Sequence, residues 1–174
     1  MGAAFTLTRF SEAFLVLRAQ QTGINIAWIP GVVVVMSLAY ALSAYPAGVV
    51  SDRSDRRVLL ALGIVMLIAA DLVLGASASI IAVLIGIALS GLHMGFTQGI
   101  FAAMVPETAP QSLRGTAFGV FNLAGGICML LGSVIASWLW DRHGASATFL
   151  GGAVLAVLPL AMCRFAPSVA RRKP

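Results

Sequence analysis

The chain has 174 residues, 60% of them hydrophobic and 10% charged, with a net charge of +5. Soluble domains carry about 25% charged and about 45–50% apolar residues, so a water-soluble domain is excluded and an integral membrane protein is expected. The basic excess sits at the ends of apolar runs, which suits lipid headgroups and topology and speaks against nucleic acid as a partner.

A spanning helix needs about 20 mostly apolar residues. Six segments meet that need, 3–22, 26–50, 58–76, 79–103, 114–140 and 146–166, so residues 1–166 are expected to form a six-helix transmembrane bundle and 167–174 a basic tail. The first segment is the most polar. Thr8, Ser11 and Glu12 share a face at helical spacing, and Arg18 follows Ser11 on it two turns later. Arg9 stands three before Glu12 and can pair with it. Charge is costly inside a bilayer, so Arg9 and Glu12 read either as part of a substrate or proton-coupling site or as a neutralised structural pair. Arg18 is expected to snorkel to the outer interface.

The second segment carries Pro30 and Pro46 near its ends, where helix entry and exit tolerate proline. It leads into GVVSDRSDRR, residues 48–57, with five charges in the last six positions. In the third, Asp71 lies toward the outer end and reads as a protonated or interface-facing carboxylate. In the fourth, Gly91, Gly95 and Gly99 repeat every four residues and form a ridge for close helix packing. Ser90, His93 and Thr97 fall on the other side. His93 reads as a proton-moving or ligand-binding cavity residue or as a hydrogen bond between helices, with Thr97 and Gln98 as companions.

The loop VPETAPQSLR, residues 105–114, follows, and its Pro106 and Pro110 are expected to end the fourth helix. In the fifth segment Asn122, like His93, is a cavity candidate with a structural alternative, among Gly115, Gly119, Gly125 and Gly126, which read as packing and bending points. Asp141 to Ala145 should form the turn to the sixth. Cys128 and Cys163 lie in apolar runs and read as small core residues. No metal spacing, phosphate loop or hydrolase signature occurs, so neither a metal, a cofactor nor an enzymatic activity is expected.

Basic residues set the topology. With Met1 cytoplasmic, that side holds Arg53, Arg56, Arg57, Arg114, Arg164, Arg171, Arg172 and Lys173, the other side holds Arg142, and Arg9 and Arg18 lie within the first helix. This positive-inside bias predicts a multi-pass protein of the cytoplasmic (inner) membrane with both termini cytoplasmic. The endings Ala47 to Arg53 and Ala136 to Arg142 echo each other, consistent with a three-plus-three inverted repeat.

Anchoring explains the arginines of the charged loop but not Asp52. Gly48-x-x-x-Asp52-Arg53-x-Asp55-Arg56-Arg57 resembles the major facilitator superfamily motif G-x-x-x-D-R-x-G-R-R, which joins the second and third helices of each six-helix half. Asp55 replaces the usual glycine, and Asp tolerates left-handed backbone better than most residues. Glu107-x-x-Pro110-x-x-x-Arg114-Gly115-x-x-x-Gly119 resembles the loop between helices four and five of a half. RGTAFGVFNLAGG with LWDR is similar to helix eleven of bacterial members, and RFSEAFLVLRAQ to helix seven.

The resemblance implies an all-α membrane fold: six transmembrane helices forming the carboxy-terminal half of a superfamily transporter. It implies secondary transport of a small solute by alternating access, coupled to protons, with a second six-helix half from the same or another chain. The start of helix one almost at Met1 suggests a split or truncated transporter. The alternative is a non-transporting membrane partner or an inactive remnant. In the family the charged loop helps latch the cytoplasmic side. Carried over, Asp52 and Arg53 are latch candidates with Glu107 and Arg114 as charge partners, against a plain solvated anchor. The substrate is not encoded in any pattern of this chain.

Overall fold

The computed structural model describes residues 12–107 and 110–165. Among them the chain is helical, joined by short turns and without a strand. Water is absent from a bilayer core, so backbone groups there must bond internally, and helices do so within one segment.

Helix α1, Ala13–Gln21, ends at Thr22, whose Oγ1 donates to the Ala19 carbonyl at 2.8 Å. Gly23 follows at φ 88°. That left-handed residue lets its own N–H reach Gln20 O at 3.0 Å and the Ile24 N–H reach Ala19 O at 3.4 Å, which seals the helix end. The earlier part of the expected first span, and with it Arg9, lies outside the described residues. Asn25 then accepts from the Ala27 N–H at 3.0 Å and opens a tight turn, Ile26–Trp28.

Helix α2, Ile29–Arg53, carries Pro30 in its first turn, where a missing N–H is harmless. It also runs through Pro46, which the sequence placed near the exit. Proline deletes one donor, and membrane helices tolerate that where neighbours satisfy the freed carbonyl. Helix α3 is Arg56–Ala76 and α4 is Ile80–Glu107. Ser79 caps α4, its Oγ accepting from the Ala82 N–H at 3.2 Å. Pro106 falls inside the last turn of α4 rather than ending it.

A final helical run, Arg114–Phe165, has 52 residues and one break, Gly144 at φ 79°, ψ 178°. Unbroken, it would extend about 78 Å, more than twice the thickness of a bilayer core. The break folds it back. A Cβ on Gly151 would lie 2.9 Å from Leu139 Cδ2, although the two would be about 18 Å apart on a straight helix. The arms are α5 over 114–143 and α6 over 145–165. The expected five-residue turn is thus one residue, in a backbone region open only to glycine.

Helix α4 is central. One face meets α2, the other meets α3, and the far face of α3 meets α6. A core of Phe14, Leu15, Leu74, Val83, Ile87 and Phe149 fills the Gly144 end. A second, built around Leu60, Ile64, Ile100 and Cys163, fills the Asp55 end. Half of the most apolar 18-residue stretch of α3 is buried and 44% of that of α4, against 17% of that of α2. Among the described residues, four runs are long and apolar enough to cross a membrane, Ile26–Ser51, Arg56–Ala76, Ile80–Phe101 and Gln111–Cys163. The chain is a multi-pass membrane protein, and its exposed apolar faces are surfaces for lipid or for other helices.

Candidate functional site

The two faces of α4 do different work. Gly91 and Gly95 lie directly on α2. A Cβ on Gly91 would run into the Met36 carbonyl oxygen and stand 2.9 Å from Ala39 Cβ, while one on Gly95 would meet Ser43 Oγ and stand 2.9 Å from Ser43 Cβ. Such close approach of two backbones favours weak Cα–H···O contacts and dense dispersion packing, the attractions that remain where hydrophobic drive is absent. Gly99, the third member of the ridge, meets nothing within 4 Å among the described residues. The ridge is therefore two glycines long.

The opposite face carries His93 and Thr97. His93 is 1% exposed, and its Nδ1 lies 2.8 Å from the Gly63 carbonyl of α3. A carbonyl only accepts, so Nδ1 carries the proton in this arrangement. Thr97 is fully buried beside it, its Cγ2 2.5 Å from where a Gly63 Cβ would stand. Its Oγ1 donates to the His93 carbonyl at 2.7 Å. Ser90 Oγ donates to Gly86 O at 2.9 Å, Ser43 Oγ to Ala39 O at 2.7 Å and Thr148 Oγ1 to Gly144 O at 3.1 Å. These hydroxyls are satisfied one turn back along their own helices, which removes the penalty of burying them. The structure thus seats His93 and Thr97 in the α3–α4 seam rather than on an open face. Gly63, which makes room for both, carried no sequence signal beyond being a glycine in an apolar run.

Other candidates stand apart. Glu12 is exposed at the start of α1, Gln98 is half-buried on α4, and Asn122 is exposed on α5. Arg9 lies outside the described residues, so its pairing with Glu12 does too. No three His, Cys, Asp or Glu side chains among the described residues are placed to hold a metal ion.

Arg18 is 7% exposed and does not snorkel. Its Nε donates to Leu74 O at 3.0 Å and its Nη2 to Ser77 O at 3.1 Å, while Nη1 donates to Gln21 Oε1 at 3.4 Å. The last carbonyls of α3 lack helical partners and carry the negative end of the helix dipole, so a guanidinium satisfies them well. At the same end of the bundle Arg142 lies 5.6 Å over the ring of Trp138, four residues earlier on α5.

In the charged loop, Gly48 is exposed on α2, and Asp52 and Arg53 lie in its last turn, with side chains outside those described. The same holds for the side chain of Glu107, so its pairing with Arg114, which is exposed at the start of α5, lies outside the described contacts. Asp55 is not left-handed. It sits at φ −65°, ψ 117° and caps α3, its carboxylate accepting from the Arg57 N–H at 3.0 Å. The Arg57 guanidinium adds an ion pair to it at 4.0 Å, and Arg56 opens the helix. An aspartate thus stands where glycine is usual because a cap, not a left-handed turn, is formed there. Asp55→Ala should cost about 1 kcal/mol of stability and Asp55→Gly only a few tenths, read from thermal unfolding in detergent.

Motif, loop and helix order converge with comparison to known proteins. The sequence profile of the Major Facilitator Superfamily matches residues 2–174. The chain belongs to the major facilitator superfamily. An uncharacterized MFS-type transporter of Methanocaldococcus jannaschii is 29% identical over 164 residues, covering 91% of this chain and 41% of that protein. Myo-inositol transporter 1A of Cryptococcus neoformans is 28% identical, over 83% of this chain and 25% of its own length. A probable 4-methylmuconolactone transporter of Cupriavidus pinatubonensis is 27% identical, over 69% of this chain and 29% of its own length. The superfamily chain described here spans less than half the length of these curated relatives. No solved structure matches it.

Proposed function

We propose that the chain is the carboxy-terminal half of a secondary transporter that moves a small solute by alternating access, coupled to protons. In this reading residues 1–166 supply six spans, 167–174 form a cytoplasmic tail, and both termini face the cytoplasm of the inner membrane. The observation that carries it is the family match along the whole chain, joined to the charged loop after α2. The broad free faces of α2 and α5, including exposed Leu38, Leu42 and Tyr45 and exposed Leu123, Ile127 and Leu130, supply a surface for a second half. Asn122 lies on the α5 face and, with Glu12, Arg9 and Gln98, forms the set of candidates for the solute site. His93 and Thr97 support the site from the α3–α4 seam.

The loop acts as a cytoplasmic latch. Asp52 is in the last turn of α2, where its own helix dipole disfavours an anion. The carboxylate gains by facing the N-terminus of another helix, a contact of about 1–2 kcal/mol when partly buried. The test is uptake into proteoliposomes holding this chain with a second six-helix half. The solute panel begins with myo-inositol and 4-methylmuconolactone, the compounds in the relatives' names. Uptake should require both halves, and Asp52→Asn should lower it about 5- to 30-fold, the equivalent of that contact. Full activity of Asp52→Asn removes the latch. No uptake of any solute with both halves present favours a non-transporting partner.

A further inference from the structure

Asp71 is the only acid in α3, and it is 2% exposed. Its Oδ2 is buried and has no hydrogen-bond partner among the described residues. Leu67, Ala70 and Leu74, all within a turn of it, are buried too. Leu74 lies against α4, where a Cβ on Gly86 would stand 2.5 Å from its Cγ. A Cβ on Gly75 would stand 3.0 Å from Leu150 Cγ of α6. Residues 71, 74 and 75 of a helix fall within an arc of about 100°, so Asp71 stands on the side of α3 that α4 and α6 cover. No charged group among the described residues pairs with it. On α4 the titratable group is His93, which lies at the Gly63 carbonyl, about 12 Å back along α3. Residues 145–162 of α6 contain none, and Cys163 belongs to the core at the Asp55 end. Arg18 of α1 spends its donors on Leu74 O, Ser77 O and Gln21 Oε1. Asp141, Arg142 and His143 of α5 are exposed.

We propose that Asp71 is a proton-binding site, occupied in the packed bundle and emptied when α3 separates from α4 or α6. A carboxylate that leaves water needs a counter-charge or donors, and a buried acid with neither keeps its proton instead. On separation water enters, the O–H bond breaks, the electron pair stays on the carboxylate and the proton passes to water. The site thus ties the packing of α3 to pH. Acid favours the closed seam, and base favours its opening. Helix α3 bears none of the candidates for the solute site, so the proton is held apart from them. In a transporter this would let proton binding bias one packing of the bundle over another, and only that use rests on the transport reading.

Two measurements on the full chain test the site, and neither needs a solute or a second half. The first is the infrared spectrum at neutral pH in a detergent without ester groups. The parent should show the carbonyl band of a neutral carboxylic acid, and Asp71→Asn should remove it. The second is the unfolding equilibrium in mixtures of dodecyl maltoside and dodecyl sulfate, between about pH 5 and about pH 7. A free aspartate has its ordinary value at about 3.9 and is ionised throughout that range. The folded chain then holds one proton more than the unfolded chain, so its stability falls as pH rises. The unfolding constant of the parent, divided by that of Asp71→Asn, should climb about tenfold per pH unit, since the other titrating groups cancel in the ratio. If Asp71→Asn does not fold, Asp71→Leu, apolar and of similar size, replaces it in both measurements. Absence of the acid band from the parent, its survival in the variant, or a ratio that stays flat with pH overturns the proposal. Failure of uptake in proteoliposomes leaves both readouts untouched.

Discussion

Gly91→Leu is expected to dismantle the α2–α4 pairing. The Cβ alone meets the Met36 carbonyl, and the remaining atoms of leucine would have to displace Ala39 as well. The obstacle is backbone inside α2, so no rotamer change relieves it, and α2 must move bodily. Overpacking a filled core costs about 1–3 kcal/mol when side chains can adjust, and more when they cannot. Since α2 has 17% of its most apolar 18-residue stretch buried, the contact with α4 is most of what holds it. Gly91→Leu should therefore give no monodisperse folded protein in detergent, while Gly91→Ala lowers the unfolding temperature clearly. Gly99→Ala is the matched control. No described atom lies within 4 Å of its Cβ, and alanine is about 1 kcal/mol better than glycine inside a helix. That variant should be as stable as the parent or slightly more so. Equal behaviour of the two alanine variants in a thermal melt would mean that the α2–α4 approach is not as close as described.

The second large effect is at His93. Truncation to alanine removes a buried ring and one hydrogen bond to the Gly63 carbonyl. The cavity term for losing a side chain of this size is about 2–4 kcal/mol, and the hydrogen bond adds about 1 kcal/mol. Helix α6 packs on the far face of α3, so loosening α3 spreads to a second interface. His93→Ala should thus lower the unfolding temperature strongly, and any loss of uptake should follow the loss of folded protein. His93→Gln retains a donor near the same place and should recover part of the stability. A solute or proton ligand would behave otherwise: uptake would vanish in His93→Ala while the melting curve stayed in place. Measuring both quantities on the same preparations separates the two roles.

These residues show how far the linear pattern reaches. A chain with 10% charged residues has one structural option in a bilayer without strand periodicity, a set of helices, so the all-α membrane class follows from composition. The ten-residue charged loop between two apolar runs was enough to place the family, because both its letters and its position in the helix order are constrained. The cap role of Asp55 was legible only in part. Asp is a preferred cap residue as well as a tolerant turn residue, and the choice between them depends on whether the helix after it starts at once.

Facing directions were the unreadable part. In a soluble helix, polar residues point away from the core and declare the buried face. In these helices both lipid and core are apolar, so Leu38 on an open face and Ile87 in the core look alike in sequence. Gly91 and Gly99 likewise share a spacing, yet one touches the backbone of α2 and the other touches nothing among the described residues. Arg18 carries the same lesson. From its place near a helix end it should reach for water, but the carbonyls at the end of α3 lie closer. By itself, the sequence determined the solvent, the helical class, the family and the charged loop, all properties of local composition and spacing. Only the tertiary structure decided that His93 and Thr97 belong to the α3–α4 seam, that Gly144 alone turns the last helices and that Arg18 caps α3. Each of these depends on which helices come together and at what rotation, and that is fixed by packing between residues far apart in the chain.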